Sequence, residues 1–113
     1  MKLVFLYHPV KNVKDSLLFY REELGFEEAW REGDHTIALR LPNTDIRLLI
    51  EDDEQDLSAG GIFLVDSVDD FYHEKKNVLK FVKEPVDIPP GRYAIYQDHD
   101  ENPIRIIDFT NET

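Results

Sequence analysis

Asp45–Glu51 reads DIRLLIE and Pro103–Asp108 reads PIRIID, so an isoleucine and an arginine lead an aliphatic run into an acid twice in one chain of 113 residues. Both runs are short, apolar and rich in β-formers, which is the composition of a strand. Their recurrence raises the question whether the whole chain is written twice.

Working outward from the first run, Lys2–His8 (KLVFLYH) reads as a strand covered on both faces. Asn12 offers a helix cap with Asp15 three positions on, and Val13, Leu17, Tyr20 and Leu24 follow at helical spacing until Gly25 ends the run. Strand-like stretches at Phe26–Arg31, His35–Leu41 and Asp45–Glu51 are separated by the turn signals Gly33-Asp34 and Pro42-Asn43-Thr44. The order is βαβββ.

The second run closes the same order. Gly61–Val65 reads as a strand, and Ser67 with Asp70 forms a capping pattern before a shorter helix marked by Val68, Phe71, Tyr72 and Lys75. Strands are expected at Leu79–Lys83, Arg92–Gln97 and Pro103–Phe109. Aligning the halves sets Phe19-Tyr20 on Phe71-Tyr72 and Ile46–Ile50 on Ile104–Asp108. The chain is therefore read as a single domain, 1–113, with one module at 1–51, an acidic then flexible linker at 52–60 and a second module at 61–109.

Composition narrows the function classes. A net charge of -11 disfavours nucleic acid and anionic membranes, whose binding depends on neutralising phosphates with basic side chains. The absence of cysteine removes disulfides, thiolate metal sites and thiol nucleophiles. The N-terminal MKLVFLYHPV reads as a strand and not as a signal peptide, and a cytoplasmic location is expected.

Asn12–Phe26, NVKDSLLFYREELGF, resembles the first helix and following strand of the glyoxalase, bleomycin-resistance and extradiol-dioxygenase group, the vicinal oxygen chelate superfamily. Arg92–Asp108, RYAIYQDHDENPIRIID, resembles that family's last hairpin, where an Asp-Pro-Asp-Gly-Asn turn is usual; His99 stands in place of the proline and Glu101 of the glycine. The resemblance implies an α+β fold in which tandem βαβββ modules form a curved mixed sheet, with helices outside and a cavity on the concave side. It also implies a homodimer.

Enzymes of this family resemble one another in drawing metal ligands from the first strand, the fourth, the start of the fifth and the last. Carried over, these places fall on Phe5, Arg47, Gly60-Gly61 and Arg105. Phenyl carbon and glycine have no lone pair to offer, and arginine is a permanent cation with donors only. No metal ligand, cofactor or catalytic residue is therefore expected. His8, His35, His73 and His99 read as surface or hydrogen-bonded residues, and no serine has a nearby base or Gly-rich elbow.

Strand alternation then suggests an aromatic, apolar face with two guanidinium groups. The candidate ligand-binding residues are Phe5, Tyr7, Arg47, Leu49, Phe63, Arg105 and Phe109. The expected function is metal-independent binding or sequestration of a small molecule, anionic and partly aromatic, because paired N–H donors suit carboxylate, phosphate or phenolate. Two rivals remain: a metal-dependent glyoxalase-like lyase, and a resistance protein that binds a cationic antibiotic. Arg47 could equally pair with Glu51 or Asp108 and serve only the fold.

Overall fold

The computed structural model describes residues 1–53 and 58–111. Its elements run β1 (Lys2–Pro9), α1 (Val13–Leu24), β2 (Glu27–Glu32), β3 (Thr36–Arg40), β4 (Arg47–Glu51), β5 (Gly60–Leu64), α2 (Val68–Lys75), β6 (Lys80–Ile88), β7 (Gly91–Gln97) and β8 (Pro103–Ile107). This is the α+β fold expected from the repeat, with βαβββ written twice. The contacts gather into two compact units, Val4–Ala59 and the chain from Gly60 onward with Met1–Leu3.

In the first unit the strands lie in the order β2-β3-β4-β1, with β1 parallel to β4 and the other neighbours antiparallel. The second repeats this as β6-β7-β8-β5, with β5 parallel to β8. Each helix covers one face of its own sheet. Val13 and Leu17 of α1 are buried with Ile37, Leu39, Leu48 and Ile50, and burying one such side chain stabilises by on the order of 1.5–3 kcal/mol. Val68 of α2 is buried with Ala94, Tyr96 and Ile106, against which Phe63, Phe71 and Phe81 also pack.

The helix starts follow from capping chemistry. Asn12 Oδ1 accepts from the Asp15 N–H at 3.0 Å, and Ser67 Oγ accepts from the Asp70 N–H at 3.1 Å. A second acid completes each start. Asp52 Oδ2 accepts from the Val13 N–H at 2.9 Å and Asp108 Oδ2 from the Val68 N–H at 2.8 Å. Asp52 is thus part of the first module and not of a linker; residues 54–57 of the expected linker lie outside the described residues.

Asp108 is almost wholly buried, and its Oδ1 also accepts from the Arg92 N–H and the Thr110 hydroxyl. Burial works against its charge, yet these hydrogen bonds together hold the carboxyl below its ordinary range. Gly91 is required here, since a Cβ would collide with Asp108 Oδ1 and the Asp108 carbonyl oxygen. α1 ends at Gly25, whose φ of 72° is the left-handed turn that glycine allows most easily.

Most strand ends shift by a residue or two from the sequence reading, and two departures bear on the site. β6 continues to Ile88, past the expected end at Lys83, because it is an edge strand where Pro85 costs no inner ladder bond and two bulges absorb the misfit. β5 begins at Gly60, one residue earlier than expected. Among the described residues, no helix is long and apolar enough to cross a membrane.

Candidate functional site

Each sheet has a face turned away from its helix, and the candidate residues that lie on paired strands divide between these two faces with one exception. In the first unit, Phe5 pairs with Arg47 and Tyr7 with Leu49, and all four lie opposite the α1-packed residues Leu6, Leu48 and Ile50. Trp30 sits edge-on to Phe5, with ring centroids 6.0 Å apart. The Tyr7 and Thr36 hydroxyls each donate to Glu51 at 2.8 Å, one to each carboxylate oxygen. Arg47 Nη1 donates to the Asp45 carbonyl at 3.2 Å.

In the second unit Arg105 pairs with Ile62 on one side and Ile95 on the other, and it is fully buried, with none of its surface exposed. Its Nη1 lies 3.3 Å from where a Cβ on Gly60 would stand. The bare backbone of Gly60 therefore makes room for a guanidinium. Phe109 follows β8 and is half-buried.

Phe63 is the exception. It belongs to the cluster under α2, with Ile106 and Ala94, so it is turned away from Arg105. The sequence reading put Gly61 in phase with Arg105; the ladder puts Gly60 and Ile62 there, and a one-residue slip turns every side chain of a strand to the other face.

Two basic residues of this face were not picked out from the sequence. Lys80 pairs with Gln97 and Lys83 with Ile95, on the face that carries Arg105. Lys83 Nζ stands 5.9 Å from the centre of the Tyr93 ring, a cation–π contact on that face. The paired positions of this face, which also include Leu64, Val86, Pro103 and Ile107, hold no aspartate or glutamate. The acids nearby point the other way: Glu84 accepts from the Tyr72 hydroxyl of α2, and Asp69 and Asp87 meet Arg92 on the helix side.

The backbone also corrects the alignment of the two arginines. The Val10 N–H donates to the Glu51 carbonyl and the Val65 N–H to the Ile107 carbonyl, so Glu51 corresponds to Ile107. Counting back two residues, the counterpart of Arg105 is Leu49, and Arg47 matches Pro103. The four places where metal ligands were expected thus hold Phe5, Leu49, Gly60 and Arg105. Phenyl, alkyl, bare backbone and guanidinium do not fit a divalent cation.

A sequence model of the Glyoxalase/Bleomycin resistance protein/Dioxygenase superfamily matches residues 3–106. No match was found among the curated proteins. Solved structures share the fold at low identity. One from Legionella pneumophila, named as an NAD-dependent benzaldehyde dehydrogenase, has a TM-score of 0.76 at 18% identity, covering 94% of this chain and 98% of its own. Methylmalonyl-CoA epimerase from Mycobacterium tuberculosis gives 0.70 at 16% identity over 95% of this chain and 87% of its own. A superfamily member from Vibrio splendidus 12B01 gives 0.69 at 15% identity over 95% and 97%.

Proposed function

Because this chain belongs to the Glyoxalase/Bleomycin resistance protein/Dioxygenase superfamily, whose fold hosts many chemistries, we propose from its side chains that it binds a small anionic, partly aromatic molecule without a metal ion. The observation that carries this reading is the acid-free, basic face of β5–β8. In a chain with 24 acidic and 13 basic residues, three cations share a face whose paired positions contain no carboxylate. Lys80 is exposed, Lys83 half-buried and Arg105 fully buried, so positive charge runs from the rim of the face to its interior.

Guanidinium in a desolvated setting favours a planar anion, which accepts two parallel N–H bonds, while the half-buried Tyr93 supplies aromatic surface on the same face. The same guanidinium repels a divalent cation. Metal independence is thus a consequence of the donor set and not a separate assumption.

Thermal melting with benzoate tests the reading, since a ligand that prefers the folded state raises the melting temperature. Benzoate is expected to raise it in the wild type, less in Arg105→Lys, which keeps charge but loses the fork, and not at all in Arg105→Met. An undiminished shift in Arg105→Met contradicts the assignment. Saturable binding of zinc, nickel or manganese by the side chains of this face would favour the lyase instead.

A further inference from the structure

Lys83 reaches the acid-free face only because β6 is irregular. By strict alternation from Lys80 it would stand with Phe81, on the side packed under α2. The ladder pairs Lys80 with Gln97, Phe81 with Tyr96 and then Lys83 with Ile95, so Val82 is an extra residue that turns Lys83 to the other side. A second extra residue follows before Val86, which pairs with Tyr93. Lys83 therefore sits between two bulges on an edge strand, where a ladder on one side only specifies register weakly.

What holds this segment lies on the opposite face, and most of it is one side chain. Arg92 of β7 donates through Nη1 to Asp87 Oδ1 at 2.9 Å and through Nη2 to the Pro85 carbonyl at 3.3 Å. Its Nε and Nη2 also donate to Asp69 Oδ1 of α2, at 3.3 and 3.2 Å. Pro85 belongs to the second bulge, where a residue is out of the regular ladder and its carbonyl needs another donor. The Tyr72 hydroxyl of α2 adds a bond to Glu84 Oε1 at 3.2 Å. Glu84, Pro85 and Asp87 are thus tied to β7 and α2 just beyond Lys83, and a slip of the strand would break these bonds together. The planar guanidinium reaches all three of its acceptors at once, which an ammonium in its place does not reproduce.

We infer that Arg92 is a positioning residue for the proposed ligand site. Acting through the bulged strand, it sets Lys83 on the anion-binding face, with Nζ 5.9 Å from the centre of the Tyr93 ring. The consequence for binding rests on the anion-binding reading above, whereas the placement of Lys83 stands apart from it.

Two measurements on the whole chain separate these claims. In NMR spectra without ligand, the Lys83 Cε protons should be shifted upfield by the Tyr93 ring, and Arg92→Met should move them toward the position of an unstructured lysine. Arg92→Lys, which keeps the charge but loses the fork, should move them in the same direction. Lys83 protons that stay in place in both variants overturn the inference. In titration calorimetry, Arg92→Met should weaken benzoate binding about 3- to 10-fold, the usual worth of one net hydrogen bond. In a Lys83→Met background the same substitution should weaken it less than about 2-fold, since a residue that acts through Lys83 has nothing left to position. Equal weakening in both backgrounds, or none in either, overturns the inference as well. Melting temperatures show that each variant folds, and Arg92→Lys carries both tests should Arg92→Met not fold. A wild type that binds no benzoate contradicts the anion reading and leaves the Lys83 protons to decide the placement.

Discussion

At the position where the C-terminal module presents Arg105, the N-terminal module presents Leu49, and where the former has Gly60 the latter has Phe5. Yet the bonds that build the two modules are the same. In each, an acid just after the last strand accepts from the first helical N–H, and a residue at the start of the helix caps the third. Duplication has kept the backbone scaffold and released the sheet face that no helix covers. In the first module that face holds a Glu51 carboxylate between two hydroxyls; in the second it holds cations.

The largest expected effect separates the two helix-start acids. Asp108→Ala leaves the Val68 and Arg92 N–H groups without their acceptor in the interior and should cost roughly 2–4 kcal/mol in urea unfolding. Asp52→Ala, where the side chain keeps 14% of its surface exposed and water can reach the freed N–H, should lower stability less. Equal losses would mean that the difference in burial between the two acids carries no weight. Because the Asp108 carboxyl is held below its ordinary value of 3.8, its contribution is complete above that pH and disappears as pH falls through the lower folded value.

A smaller effect distinguishes the last hairpins. The turn before β4 places Asn43 at φ 62° and the turn before β8 places Glu101 at φ 66°. Asparagine tolerates this left-handed conformation and glutamate does not, so Glu101→Gly should stabilise by up to about 1 kcal/mol, while Asn43→Gly should change little. Equal responses in thermal unfolding would show that the second turn carries no strain.

The smallest effect is a pH dependence confined to the first module. His35 Nδ1 lies 2.6 Å from Asp52 Oδ1, and this bond raises the imidazole above its ordinary 6.5. Backbone donation from Val13, followed by the His35 bond, holds Asp52 below 3.8. The histidine's contribution is therefore complete below 6.5 and is lost as pH rises through the raised value; that of Asp52 is lost only at the acid end. Melting curves between about pH 5 and 8.5 should show a small decline that His35→Gln removes. A decline unchanged in that variant would place its origin elsewhere.

Most of the architecture was legible because it is local. Asn12, Gly25 and Ser67 mark helix ends by their own hydrogen-bonding or backbone freedom, and the alternation around Phe5, Tyr7, Arg47 and Leu49 assigned those residues to one face. What was hidden depends on pairing between distant strands. Matching IRLLI to IRII by letters slipped the repeat by two residues, which preserves the face but changes the counterpart of Arg105. At β5 the slip was one residue, and Phe63 went to the wrong side. Lys80 and Lys83 are three apart, and strict alternation separates them; the bulge between Phe81 and Lys83 brings them together. Asp52 and Asp108 did leave a trace, since an acid follows each aliphatic run, but only the helix N–H groups they meet explain why.

The most direct test follows the side-chain resonances of Arg105 and Lys83 by NMR while benzoate, and in a separate sample zinc, is added to the isotope-labelled protein. Saturable shifts of these resonances with the acid, and none with zinc, are the predicted result. Saturable zinc-induced shifts centred on the β5–β8 face, with the acid leaving Arg105 unmoved, would contradict it.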